Sequence, residues 1–144
     1  MNRLEIKQSD RDTLLPLLDR VFEQQHEGVF ADRLPEDKEQ EIAFGAWAAG
    51  RLTGGIVGKR QYDTLHISLL GVEEGQQKSG MGSKLIQAME AWAVVEDVKT
   101  LTLTTKAYQA LGFYLKHGYE VFGELADVPM MGTTKYYLAK KINR

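Results

Sequence analysis

One segment constrains the fold more than any other. Across residues 66–93 an apolar strand runs through a glycine-containing loop straight into an apolar helix. From Thr64 to Val72, Leu65, Ile67 and Leu69 alternate with their neighbours, the pattern of a strand. From Ser83 to Val95, Leu85, Ile86, Met89 and Ala93 recur at helical spacing and form an apolar stripe. The loop between them, residues 73–82, ends in Gly80-Met81-Gly82. A helix N-terminus carries backbone N–H groups with no intrahelical partner and a partial positive charge. Glycines just before it let the backbone curl so that several N–H groups point at one anion with no side chain in the way. Taken alone, the loop reads equally well as a phosphate cradle and as a glycine turn with no ligand. Two other phosphate loops fail here. Gly75 and Gly80 have the spacing of a Walker A loop, but Met81 and Gly82 follow where Lys and Ser or Thr are needed, and the dinucleotide fingerprint from Gly80 breaks at Leu85.

The rest of the chain supplies the partners for this unit. Leu4 and Ile6 alternate with charged residues and predict a first strand, after which Ser9 and Asp10 offer helix caps. Leu14, Leu15, Leu17, Leu18, Val21 and Phe22 predict a helix from Thr13 to Gln25, with Pro16 in its first turns. The stretch from His26 to Glu41 is polar and irregular, with room for a second short helix. Ile42–Ala48 and Leu52–Tyr62 read as strands joined by a turn at Gly50-Arg51, the second weakened by Gly54, Gly55 and Gly58. Thr100–Thr105 is β-branched and reads as a buried strand. A short helix follows from Tyr108 to His117 with Gly118 as its cap, and Tyr119–Glu124 and Lys135–Ala139 are the last strands. Strands and helices mixed in this order predict an α/β sheet covered by helices.

Composition narrows the chemistry. The 144 residues fit one domain, 1–144, and 43% hydrophobic with 26% charged residues is ordinary for a folded chain. With no cysteine there is no disulfide framework, thiolate metal site or cysteine acyl intermediate. A net charge of -2 gives no electrostatic footprint for nucleic acid. Without a long apolar run or an apolar N-terminal core, no membrane span is expected and a cytoplasmic location is the default. No two histidines have metal-ligand spacing, so no metal is expected.

Two motifs taken together resemble the GNAT superfamily of N-acetyltransferases. Gln77, Gly80 and Gly82, preceded by Leu69-Leu70-Gly71-Val72 and followed by Ser83-Lys84-Leu85-Ile86, are similar to the family's first motif. Ala110, Phe113, Tyr114, Lys116, Gly118 and Tyr119 are similar to its second, a helix of the form A-x-x-F-Y-x-K-x-G-[FY], and Glu120–Glu124 continues as in many bacterial members. The resemblance is good over residues 42–140 and weak before them. It implies a mixed, mostly antiparallel central sheet of six to seven strands flanked by about four helices and splayed at the strand of the first motif.

The resemblance also implies a site. Acetyl-CoA would be the cosubstrate, its pantetheine arm in the splay against backbone groups of Leu70, Gly71 and Val72. Its pyrophosphate would lie on N–H groups of Lys78, Ser79, Gly80, Met81, Gly82 and Ser83, with Gln77 adding a side-chain contact. Phe113 would line the coenzyme site, as would Thr105, which stands where many members have an Asn. Tyr114 matches the tyrosine that protonates the departing thiolate, and a phenol with its usual pKa near ~10 can donate at neutral pH. The acetyl group would pass directly to an amine, with the backbone N–H near Val72 stabilising the oxyanion. The base is open between His66, Glu73, Glu74 and water. Strand alternation places His66 on one face with Ser68 and Leu70, from which an imidazole could take the amine proton through water, but a histidine bonded into the sheet fits the sequence slightly better. Glu73 and Glu74 read as solvated loop carboxylates, and His26 and His117 as surface residues. Tyr108, Phe113 and Tyr119 read as packing aromatics.

Three functions are compatible with this reading: an enzyme acetylating a small-molecule or peptide amine, an inactive coenzyme-A-binding sensor or interaction module, and a purely structural α/β domain. The acceptor would contact residues 22–40 and the loop Leu125–Thr134. Glu23, Glu27, Asp32, Glu36, Asp37, Glu39 and Glu41 cluster in the first region, where a solvated acidic face is the commoner explanation than attraction of a cationic amine. Met130 and Met131 would suit a homodimer surface.

Overall fold

A computed structural model describes residues 4–30, 39–75, 80–106 and 110–143, without the side chains of 29 and 30. It divides into two compact units, Met1–Glu36 and Asp37–Arg144. In the first, helix α1 runs Arg11–Phe30. Asp10 is its cap: one carboxylate oxygen accepts from the Thr13 N–H at 2.8 Å and the other from the Thr13 hydroxyl at 3.1 Å. These bonds hold the exposed Asp10 carboxyl below its usual range. Pro16 falls in the second turn rather than the first, where its missing N–H leaves the Asp12 carbonyl without its i+4 donor. The strand expected at Leu4 and Ile6 does not form, since residues 4–10 have no regular structure. Alternation creates a strand only where a ladder is available, and Leu4–Asp10 has none.

The second unit is a six-stranded sheet in the order β1-β2-β3-β4-β6-β5, where β1 is Gln40–Ala48, β2 Arg51–Gln61, β3 Thr64–Val72, β4 Thr100–Lys106, β5 Glu120–Ala126 and β6 Thr134–Lys141. Only β3 and β4 pair parallel. Helix α2, Met81–Val95, makes the crossover between them, and α3, Leu111–Lys116, follows β4. Among the described residues there are thus three helices against the about four expected. The region expected to hold the further one falls partly in residues 31–38, outside the described residues, as do Asp32, Glu36 and Asp37.

Leu85, Ile86, Met89 and Ala93 of α2 are buried with Ile56, Leu65, Leu101 and Leu138 of the sheet. Each such aliphatic side chain contributes about 1.5–3 kcal/mol relative to exposure. Gly58 lets α2 pack closely here, since a Cβ there would lie 3.1 Å from the side-chain ends of both Leu65 and Met89, which would have to shift. The far end of α2 is fastened by buried Arg60, which donates to the carbonyls of Tyr62 at 3.0 Å and Glu96 at 3.2 Å and lies over the Trp92 ring.

Two irregularities open the sheet. In the β2–β3 ladder Val57 faces Leu69 and Gly58 faces Ile67, so Ser68 is the extra residue of a bulge. The parallel β3–β4 ladder runs only from Thr64 opposite Thr100 to His66 opposite Thr102. Beyond it β4 stays paired with β6 as far as Lys106 opposite Lys135, while β3 continues with β2 to Val72. The two strands therefore part at the bulge.

Candidate active site

The parting of β3 and β4 leaves a cleft of about 560 Å³. One wall is β3 from Ile67 to Val72, the other is β4 from Leu103 to Thr105. Gly80, Gly82 and Ser83 at the start of α2 close one side, and Ala110, Phe113 and Tyr114 of the α3 region close the remainder. Gly80 caps α2 with φ +80°, a left-handed conformation that suits glycine, and no side chain caps the helix. Among the described residues no side chain caps the N–H groups of its first turn. A Cβ at Gly82 would stand 3.4 Å from Phe113 and 3.9 Å from Val72, so a side chain there would fill the space beside the first turn. A cleft that ends at a helix N-terminus fits a chain carrying a diphosphate.

Of the residues singled out in the sequence, Leu70, Gly71, Val72, Gly80, Gly82, Ser83, Thr105, Phe113 and Tyr114 all line this cleft. Gln77, Lys78 and Ser79 lie outside the described residues, as does Tyr108. Met81 turns away: its sulfur lies 3.2 Å from the Thr53 hydroxyl, and its side chain lines a separate groove with Phe44 and Ala46. Tyr114 is 8% exposed, with its ring edge-on to Phe113 and Tyr119. Burial raises its pKa above the ordinary phenol value, keeping it a proton donor through the neutral range.

The bulge also changes which residues share a face. Leu65 and Ile67 are buried, Ser68 and Leu69 are both exposed, and Leu70 and Val72 are half-buried, so the alternation shifts phase at Ser68. Leu70 consequently sides with Leu65 and Ile67, not with His66 as expected. His66 is exposed, does not line the cleft, and has Nδ1 2.9 Å from the Thr102 hydroxyl. Glu73 is not simply solvated: it pairs with Arg51 at 2.9 Å, and its N–H donates to the Thr53 carbonyl at 2.8 Å.

His117, expected at the surface, is half-buried beside the cleft. Its Nε2 lies 2.9 Å from the Ser83 hydroxyl and its ring lies 4.7 Å from that of Phe113. Its position four residues after Phe113 on one helical face was the available signal. Below it, the Tyr119 hydroxyl donates to Glu90 at 2.9 Å, and Lys140 reaches both Glu90 oxygens and the His117 carbonyl, the latter at 2.8 Å.

Known proteins share the fold. The model of the acetyltransferase (GNAT) family matches residues 9–119. A blasticidin-S acetyltransferase of Streptomyces morookaense is 38% identical over 105 residues, covering 72% of this chain and 76% of that protein. The crystal structure of an acetyltransferase from Bacillus cereus superposes with a TM-score of 0.83 at 26% identity, covering 96% of this chain and 98% of that one. An aminoglycoside 6'-N-acetyltransferase in complex with coenzyme A shares the fold, with a TM-score of 0.64 at 22% identity over 93% and 92% of the two chains. The chain belongs to the GNAT acetyltransferase family, and is an acetyl-CoA-dependent N-acetyltransferase. No described helix is long and apolar enough to cross a membrane.

Proposed function

We propose that this chain, acting as a single cytoplasmic domain, transfers acetyl from acetyl-CoA directly to a primary amine of a small molecule or peptide within a ternary complex. The observation that carries the reading is the cleft between β3 and β4, which has the N-terminus of α2 at one side and buried Tyr114 at another. Bound acetyl-CoA would supply the thioester that the amine attacks. Leu70, Gly71 and Val72 would hold the pantetheine arm. Gly80, Met81, Gly82 and Ser83, together with Gln77, Lys78 and Ser79, would hold the diphosphate. Thr105 and Phe113 would wall the channel, and Tyr114 would protonate the leaving sulfur. His66, Glu73 and Glu74 do not line the cleft, and Glu73 is paired with Arg51, so the amine proton is assigned to water, and His66→Ala should leave kcat within about twofold. Blasticidin S is the first acceptor to test, given the 38% identical relative.

Calorimetric titration with acetyl-CoA, beside Gly82→Glu, tests the site. The variant places a carboxylate and its stem where the space against Phe113 closes, so binding should be lost. An amine screen should then give turnover that Tyr114→Phe suppresses. Binding without turnover on any amine would favour a coenzyme-A-binding module instead. A folded wild type that does not bind would overturn the reading of the cleft.

A further inference from the structure

Ser83 is the one cleft-lining residue of the first α2 turn that carries a hydroxyl among those described, and its oxygen is 2.9 Å from His117 Nε2. Two hydrogen-bonding arrangements satisfy that distance. In one, the serine hydroxyl donates to an unprotonated Nε2 and its hydrogen points away from the cleft. In the other, Nε2–H donates to the serine oxygen, and the serine hydrogen is free to point into the cleft. An anion on the α2 first turn selects the second, because only that arrangement adds a donor. A hydroxyl that accepts one hydrogen bond also becomes a better donor of the next.

The surroundings hold the imidazole where this relay requires it. His117 follows the last residue of α3, Lys116, and its ring packs on Phe113, which itself borders Gly82. Its carbonyl accepts from Lys140, which is paired with Glu90 of α2. Ring and backbone are thus fixed from two sides, and the ring atom that meets Ser83 is Nε2. α2 has no side-chain cap of its own.

We propose that His117 is a positioning residue for the coenzyme's diphosphate: it donates through Nε2–H to Ser83 and thereby turns the serine hydroxyl into a donor for a phosphate oxygen. The inference rests on the reading of this cleft as the coenzyme site. A double-mutant cycle by calorimetry tests it, with coenzyme A and with pantetheine, which lacks the diphosphate, as the probes. Ser83→Ala and His117→Ala should each raise the Kd for coenzyme A about tenfold, the order of one hydrogen bond to a charged group. The double variant should be no weaker than either single one, because both substitutions break the same relay. His117→Gln, whose amide can keep a donor near the Nε2 position, should recover most of the loss. Pantetheine affinity should be the same throughout. Additive losses, or equal losses for pantetheine, would assign His117 to packing and overturn the relay alone. Should His117→Ala fail to fold, His117→Phe, which keeps a ring against Phe113 but offers no donor to Ser83, takes its place in the cycle with the same expected outcomes. Failure of the wild type to bind coenzyme A would instead overturn the cleft reading, and the relay with it.

Discussion

Tyr114 in the cleft wall and its neighbour Tyr119 show how similar groups take different work from their surroundings. Tyr114 is raised in pKa by burial alone, whereas Tyr119 is raised much further, by burial first and then by the charge and hydrogen bond of Glu90. Tyr114→Phe should therefore lower kcat by about 10²–10³ while leaving coenzyme A affinity unchanged, because only the proton donor is removed. A parallel loss of affinity would show that the hydroxyl binds rather than donates. Both phenols stay neutral in the folded state at pH values where the unfolded chain ionises near ~10. Their contribution to stability is then fully present below about pH 10 and is lost as pH rises above it, because the unfolded state releases its protons first. Denaturant titrations at pH 8 and 11 should show that fall, and Tyr119→Phe should make it shallower. An unchanged alkaline slope in the variant would contradict this. Tyr114 was readable because a sequence motif singles it out. For His117 the only local signal is its spacing four residues after Phe113, which places it beside that ring but not beside its partner Ser83, 34 residues away.

At the scale of elements, legibility followed local information. Thr64–Val72 has the predicted bounds, and α2 starts two residues before the predicted Ser83 because Gly80, not a side chain, caps it. Gly118 does adopt a left-handed conformation after α3, with φ +88°. Gly118→Ala should cost about 1–2 kcal/mol for forcing a Cβ into that region, while its new methyl would only meet the Lys140 side chain at 3.4 Å. Thermal or chemical denaturation reads the loss, and a neutral result would mean that the turn can rearrange. What the sequence hid was the bulge at Ser68. A bulge is defined by counting residues on two strands at once, and nothing in Ile67-Ser68-Leu69 marks one of them as extra. That single residue decides that Leu70, rather than Leu69, joins Leu65 and Ile67 on the buried side of β3, and it lies where β3 and β4 part. The face of every site residue on β3 therefore depends on information held by β2.

Across the whole sheet, the cleft is also a weak seam. The β1-β2-β3 and β4-β6-β5 halves share only the short ladder from Thr64–His66 to Thr100–Thr102, reinforced by side chains of α2 and the buried core. A ligand seated between β3 and β4 touches both halves beyond the end of that ladder. Its binding energy should therefore stabilise the sheet as one cooperative body rather than one lobe. At a coenzyme A concentration of 100 times Kd the linkage is about 2.7 kcal/mol. With an unfolding entropy of about 2.1 cal/mol/K per residue, this should raise Tm by about 9 °C. Scanning calorimetry should show one transition moving up with ligand concentration, and Gly82→Glu should abolish the shift at the same coenzyme concentration. Two transitions, of which only one moves, would mean that the halves unfold separately and that the coenzyme is held by one wall of the cleft.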